Sequence, residues 1–334
     1  MMDNSSSLRN ASSSGSCVRN TQVTQILFPI LYSVLFIVGL ALNVMAAKIF
    51  FHIPSTSTFI VLLKNVLFAD VIMTLTFPFK ITKDTQLAPL QLRAFVCRFS
   101  AVTFYFTMYI SIILLGLISC DRYLKITNPF GKSCVRSVRF SKFLSGAVWL
   151  TMFALSVPNM ILTNKPVRPD TARKCSLLKS PQGLMWHATL IYICQFIFFG
   201  VFLLMVVLYI IISRKVYESY VKSRSSDTKG RKKTKVKVFV IVAVFFVCFA
   251  PYHFVRVPYT LSQVGKVREC WKQDLLYYLK EITLWLCSSN TCLDPLIYIF
   301  LCKSFRRRLA RHETNRSESR VNTIHDNVAS ESAL

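Results

Sequence analysis

The sequence predicts an all-α membrane protein: a bundle of seven transmembrane helices followed by a short amphipathic eighth helix. Three observations carry that reading. Of 334 residues, 53% are hydrophobic and only 17% are charged, whereas soluble domains carry about a quarter charged residues. A membrane-crossing helix needs about 20 mostly apolar residues, and seven stretches supply them, at 26–51, 58–82, 95–120, 142–163, 187–213, 236–261 and 275–302. Finally, 41 Lys and Arg stand against 15 acids, and the cations collect between the apolar stretches. Nucleic-acid binders can be this basic, but they lack apolar runs of such length, so nucleic acid is excluded as a partner.

The first apolar stretch starts too late, behind too polar a leader, for a cleaved signal peptide. It is read as retained. The chain then divides into an extracellular leader (1–25), the seven-span domain (26–302), the amphipathic helix (303–312) and a disordered cytoplasmic tail (313–334). No period of 20–50 residues repeats, which argues against a solenoid and against an inverted-repeat transporter.

Loop charge sets the orientation. With the N-terminus outside, segments 121–142, 214–237 and 303–320 face the cytosol and hold 23 Lys and Arg, against 16 in the outer segments. That bias follows the positive-inside rule and favours an N-terminus on the outer side; the expected location is the plasma membrane, with the N-terminus extracellular. Two Asn-x-Ser sequons, at Asn4 and Asn10, fall in the outer leader as glycosylation candidates. The ten cations of 214–237 suit either an anchor on anionic inner-leaflet lipid or a protein-docking rim.

The 16 outer cations face only six acids. Snorkelling to headgroups would explain cations at helix ends. It does not explain His253, Arg256 and Tyr259, which recur at i, i+3 and i+6 on one face of the sixth span. His187 opens the fifth span and Lys280 the seventh. Ionisable groups at such depth face the bundle interior or water, so they predict an anionic ligand with several phosphate oxygens.

Four of eleven cysteines lie in outer segments, where disulfides form. They allow three pairings. The favoured one joins Cys97 to Cys175, tying the third span to the second outer loop, and Cys17 to Cys270, tying the leader to the third outer loop. The others lack a His or Cys pair at metal-ligand spacing.

Within the spans, Asp70 and Asp294 are buried carboxylates that need partners. With Asn43, Ser111 and Asn290 they suit an allosteric sodium ion; a proton-sharing pair without an ion is the alternative. No other cofactor is expected. At the inner end of the third span, Asp121-Arg122-Tyr123 suits a switch in which Arg122 changes partners. Pro78, Pro158, Pro251, Pro258 and Pro295 supply bends.

These motifs together resemble the rhodopsin-like G-protein-coupled receptors: Gly39-Leu40-Ala41-Leu42-Asn43, Ala69-Asp70, Asp121-Arg122-Tyr123, Trp149 with Pro158, Cys248-Phe249-Ala250-Pro251, and Asp294-Pro295-x-x-Tyr298. Phe249 stands where that family often has Trp, Asp294 replaces Asn, and the fifth span lacks its usual Pro. The first two features are shared by the metabotropic purinoceptors that answer ADP or UDP-sugars through inhibitory G proteins. The strings Phe77-Pro78-Phe79-Lys80-Ile81, Val257-Pro258-Tyr259-Thr260-Leu261-Ser262-Gln263 and Phe300-Leu301-Cys302-Lys303-Ser304-Phe305-Arg306 are similar to that branch, most of all to its ADP-responsive members of the platelet and microglial type.

The resemblance implies that Arg93, Lys179, Arg256 and Lys280 hold phosphates and that Tyr105 stacks on a base. It further implies that Asn159, His187, Gln195 and Gln263 hydrogen-bond the nucleotide, with Phe249, Pro251, Asp294, Pro295 and Tyr298 joining Asp121-Arg122-Tyr123 in activation. An inhibitory heterotrimeric G protein and, through a phosphorylated tail, arrestin are the implied partners. Ile191 and Arg98 depart from the closest ADP receptors. A UDP-sugar or a lysophospholipid is the competing ligand class. An enzyme is disfavoured, because neither a nucleophile–base pair nor a phosphate loop appears.

Overall fold

The computed structural model describes residues 22–127, 137–168, 175–222, 228–263, 267 and 269–311; side chains at 216, 219–222, 228–238 and 263 are outside it. Asn4, Asn10, Cys17 and the tail beyond 311 therefore lie outside the described residues, as does the side chain of Gln263.

Seven helices are long and apolar enough to cross a membrane: α1 (Gln22–Phe51), α2 (Thr58–Asp84), α3 (Leu90–Thr127), α4 (Val138–Ile161), α5 (Pro181–Lys222), α6 (Thr228–Gln263) and α7 (Cys270–Leu301). An eighth helix, α8, follows at 303–311. Among the described residues the regular structure is entirely helical.

Several ends have identifiable causes. Ser57 and Ser137 precede α2 and α4 in extended conformation, and their hydroxyls accept hydrogen bonds from the N–H groups of Ile60 and Phe140; such caps satisfy donors that the first turn cannot. Gln86, just past α2, has φ of 59° and turns the chain toward α3. In α3 the winding widens to π-type over Val96–Ser100, around Cys97. α7 has a local turn at Ser289, between Cys270–Ser288 and Asn290–Leu301, where Ser289 N–H is shared between the Trp285 and Leu286 carbonyls and Cys292 N–H closes a tighter turn onto Ser289 O at 3.0 Å.

Most helices outrun the apolar stretches. α6 begins at Thr228, so 228–237 continues as helix, because Lys and Arg are good helix formers even where hydropathy ends them. In the same way α7 starts at Cys270 and α5 at Pro181, ahead of their apolar cores. Lys280 and His187 thus stand well inside their helices instead of opening them.

α3 is the central helix, touching α2, α4, α5 and α6. Its Met108, Ile110, Ile112, Leu114 and Ile118 are fully buried. Phe198 of α5 stacks on Phe245 of α6 at 5.8 Å between ring centroids. Large apolar residues such as Ile37, Leu150, Phe196 and Leu203 are exposed on the outside of the bundle, the reverse of a water-soluble fold and the surface that lipid would cover.

Candidate functional site

The end of the bundle where α1 begins is the outer end in the orientation that loop charge predicts. There the disulfide Cys97–Cys175 joins α3 to the segment ahead of α5. Cys270 is also disulfide-bonded; its expected partner Cys17 lies outside the described residues. The Cys97 bridge pins a short 3₁₀ turn, Cys175–Leu178. Lys179 follows it, and its Nζ donates to Asn159 Oδ1 at 2.9 Å and to Thr163 Oγ1 at 3.3 Å. Burial pushes this ammonium down to about 8, since a low-dielectric site disfavours the charged form. Arg98 Nε donates to Thr163 O at 2.7 Å, closing the same corner.

His187 of α5 has Lys179 and Arg256 as its charged neighbours. Arg256 lies over the Tyr259 ring at 5.8 Å from its centroid and is also surrounded by Tyr252, Tyr105 and Tyr109. From α7, Lys280 lies over the same Tyr259 ring at 5.3 Å and over Tyr277 at 5.1 Å. Lys179, His187, Arg256, Tyr105, Tyr259 and Lys280 are thus electrostatic neighbours at this end of the bundle, each buried or half-buried. A cation over an aromatic face gains about 0.5–2 kcal/mol, which fixes its direction without using its N–H donors.

Other expected residues lie elsewhere or are already engaged. Arg93 donates to Ala88 O at 2.9 Å and to Gln86 O, bracing the turn between α2 and α3. His253 is fully buried: its Nδ1 pairs with Phe249 O at 2.8 Å and its Nε2 with the Tyr109 hydroxyl at 3.1 Å, and its ring stacks on Phe198 at 3.8 Å. Gln195 Nε2 donates to His253 O at 3.0 Å, while its Oε1 is buried without a partner. His253 and Gln195 form a layer beneath the cations, because His253 points one turn deeper than Arg256.

An acidic partner set escaped the motif reading. Glu281 contacts Lys280 Nζ and lies 3.8 Å from Lys80 Nζ, which bonds Asp84 Oδ2 at 2.8 Å. Lys83 has both acids as charged neighbours. The signal was present in Lys80, Lys83 and Asp84, which share one turn of α2, and in the adjacency of Lys280 and Glu281.

Below the aromatic layer, Asn290 Nδ2 donates to Asp294 Oδ2 at 2.7 Å and the Tyr298 hydroxyl to Asp70 Oδ2 at 3.3 Å. The two carboxyls adjoin each other. The Oδ1 atoms of Asn43, Asp70, Asn290 and Asp294 are buried without hydrogen-bond partners. Such an all-oxygen set fits a hard cation; a shared proton also satisfies one oxygen of the pair. Ser111 is buried on α3. On α6, Phe249 packs on Phe245 at 5.4 Å, two residues before Pro251.

At the other end, Arg122 Nε donates to Asp121 Oδ2 at 3.1 Å, Lys125 adds a bond at 3.0 Å, and the guanidinium covers the Phe59 ring at 3.8 Å. Tyr123 packs near Ile212 of α5. Phe305 of α8 is fully buried between Phe50 and Tyr298, at 5.1 and 6.0 Å.

Comparison with known proteins agrees with this layout. Residues 16–298 match the model of the 7 transmembrane receptor (rhodopsin family). Purinoceptor 13 of Homo sapiens is 52% identical over 316 residues, 93% of this chain and 89% of that protein. Purinoceptor 14 of Bos taurus is 45% identical over 316 residues, covering 95% and 93%. G-protein coupled receptor 87 of Mus musculus is 45% identical over 294 residues, covering 88% and 82%. With the seven spans, the interior cations and likeness over nearly its whole length, the chain belongs to the rhodopsin family of seven-transmembrane receptors, in its purinoceptor branch, and is a receptor and not an enzyme.

Proposed function

We propose that this receptor binds an extracellular nucleotide, with ADP the favoured one, and signals through inhibitory G proteins to lower cyclic AMP. The observation that carries the reading is the convergence of Arg256 and Lys280 on Tyr259, with Lys179 and His187 adjoining. Phosphate oxygens accept several N–H donors at once, and the Arg guanidinium offers a planar fork for them. The aromatic rings of Tyr105 and Tyr259 then give a base or ribose something to rest on.

Both the purinoceptor relatives and the motif strings favour a nucleotide over a lipid phosphate. A UDP-sugar is the second reading, carried by the resemblance of the motif strings to the branch that answers ADP or UDP-sugars. In this reading the N-terminus is extracellular, the membrane is the plasma membrane, and arrestin engages the phosphorylated tail.

Signalling follows from differential affinity: a ligand shifts the equilibrium only by binding one state better. Each charge-assisted phosphate contact contributes about 1.5–3 kcal/mol. Two or three of them made better in the active arrangement of α6 and α7 approach the roughly 5.5 kcal/mol that turns a mostly-off population mostly on. At the cytosolic end, Arg122 would leave Asp121 for the G protein as α6 moves outward. The oxygens of Asp70, Asp294, Asn290 and Asn43 would hold a sodium ion in the resting state, a charge that keeps the cluster closed.

The test is a panel of ADP, ATP, UDP-glucose and lysophosphatidic acid on cells expressing the full chain, read by suppression of cyclic AMP. A response to ADP that Arg256→Ala removes supports the reading. A response to UDP-glucose alone selects the second one, and a response to lysophosphatidic acid alone overturns both.

A further inference from the structure

We propose that Glu281 is a specificity-determining residue: its carboxylate occupies part of the outer site as a built-in anion and limits how many phosphates the ligand may carry. The inference rests on the nucleotide reading above and deepens it.

The cations of the outer site form two groups that differ in compensation. On the α2–α7 side, Lys80, Lys83 and Lys280 share two acids: Glu281 pairs with Lys280 and reaches Lys80 at 3.8 Å, while Asp84 holds Lys80 at 2.8 Å. On the α4–α6 side, Lys179 is held by neutral oxygens of Asn159 and Thr163, and Arg256 lies among tyrosines. Among the described residues no carboxylate lies within 4.0 Å of either. Lys179 and Arg256 therefore carry two positive charges with no acid to answer them, whereas the three lysines of the other side have two of their charges answered. Tyr259 stands between them, with Arg256 and Lys280 both over its ring.

A ligand's phosphates go first to the uncompensated side. A chain of phosphates long enough to pass Tyr259 meets Lys280 with Glu281 already on it. To bind there, the added phosphate must displace the carboxylate or tolerate it as a like-charged neighbour. Both arrangements penalise the extra charge, and like charges held close cost several kcal/mol in a partly desolvated site. The side chains of Lys280 and Glu281 are 11% and 12% exposed, so solvent reaches the pair and a ligand group can too. Glu281 would thus favour a diphosphate over a triphosphate without touching the part of the ligand that both share.

The test compares ATP with ADP, as dose–response curves for cyclic AMP suppression, on cells with matched surface expression of the full chain and of Glu281→Gln. The amide keeps the shape and removes the charge. Expected is a rise of about tenfold or more in the potency of ATP relative to ADP, the scale of one charge-assisted contact. A purely structural role would lower both potencies together and leave their ratio unchanged; an unchanged ratio overturns the proposal. Lys280→Gln supplies the converse and also serves if Glu281→Gln fails to reach the surface. It leaves Glu281 with less compensation, so the ATP:ADP ratio should fall, and a ratio that holds or rises overturns the proposal. Arg256→Ala separates the two levels: if it abolishes the ADP response while both ratios stay fixed, only the Glu281 role falls, whereas if it leaves every response intact the nucleotide reading falls with it.

Discussion

Arg256 and Lys280 approach one tyrosine from two helices: their charged groups lie 5.8 and 5.3 Å from the centroid of the Tyr259 ring. Their surroundings are unequal, since Lys280 is paired with Glu281, whereas Arg256 lies among tyrosines with no carboxylate within 4.0 Å among the described residues. Arg256→Ala should therefore lower nucleotide potency by roughly 10- to 100-fold, the span of one charge-assisted contact, and Lys280→Ala by less. Dose–response curves at equal surface expression check this, and equal losses would contradict the asymmetry.

Lys179 adds a pH dependence. Burial holds its pKa at about 8, below the ordinary lysine value, so the unliganded receptor loses this charge as pH rises through 8. A bound phosphate favours the ammonium and raises the pKa, so binding takes up a proton above pH 8. Nucleotide affinity should accordingly be highest below pH 8 and weaken from pH 8 to 9.5. In Lys179→Arg, whose side chain stays charged throughout, the decline should flatten. Equilibrium binding to washed membranes across that range is the measurement.

Removing the Cys97–Cys175 bridge frees the turn that positions Lys179. The paired change Cys97→Ser and Cys175→Ser should cost about 2–5 kcal/mol of stability and depress nucleotide binding more than the fraction reaching the surface. Thermal denaturation in detergent and ligand binding, measured on the same preparation, separate the two effects.

Gly183 opens α5 against α4. A Cβ there would stand 2.6 Å from the carbonyl oxygen of Leu162, a backbone atom with no side-chain freedom to yield. Gly183→Ala should cost about 1–3 kcal/mol, the usual range for overpacking, and lower the melting temperature. Gly200, with open space around it, is the control: Gly200→Ala should be neutral or slightly stabilising.

The four unpartnered oxygens near Asp70 predict a sodium effect. Raising sodium at constant ionic strength should weaken agonist affinity in the natural chain and leave Asp70→Asn unchanged. Sodium-independence of the natural chain would select the proton-sharing arrangement instead.

Much of this was legible in the sequence, because membrane spans advertise themselves by length and apolarity. The family motifs fell on the expected helices, and Arg256 with Tyr259 followed from spacing along one helix. Helix ends were not legible: hydropathy stops at charged residues, whereas helical hydrogen bonding does not, so Lys280 and His187 stand further from the starts of their helices than the apolar stretches suggest. Nor could spacing reveal that His253 would turn toward Tyr109 and Phe198 and away from the cations. Glu281 was visible as one of few outer acids, but its reach to Lys80 on α2 is a relation between helices far apart in the chain.

The turn in α7 at Ser289 places Lys280 and Glu281 on its outer half and Asp294, Pro295 and Tyr298 on its inner half. One span thus carries a charged pair in its first half and the buried carboxyl and tyrosine in its second, with a single local turn between them. Phe305, wedged against Tyr298 and Phe50, ties the inner half to α8, so any shift of Tyr298 is felt at that short helix. The joint between the halves lies beside the Asp70–Asp294 pair.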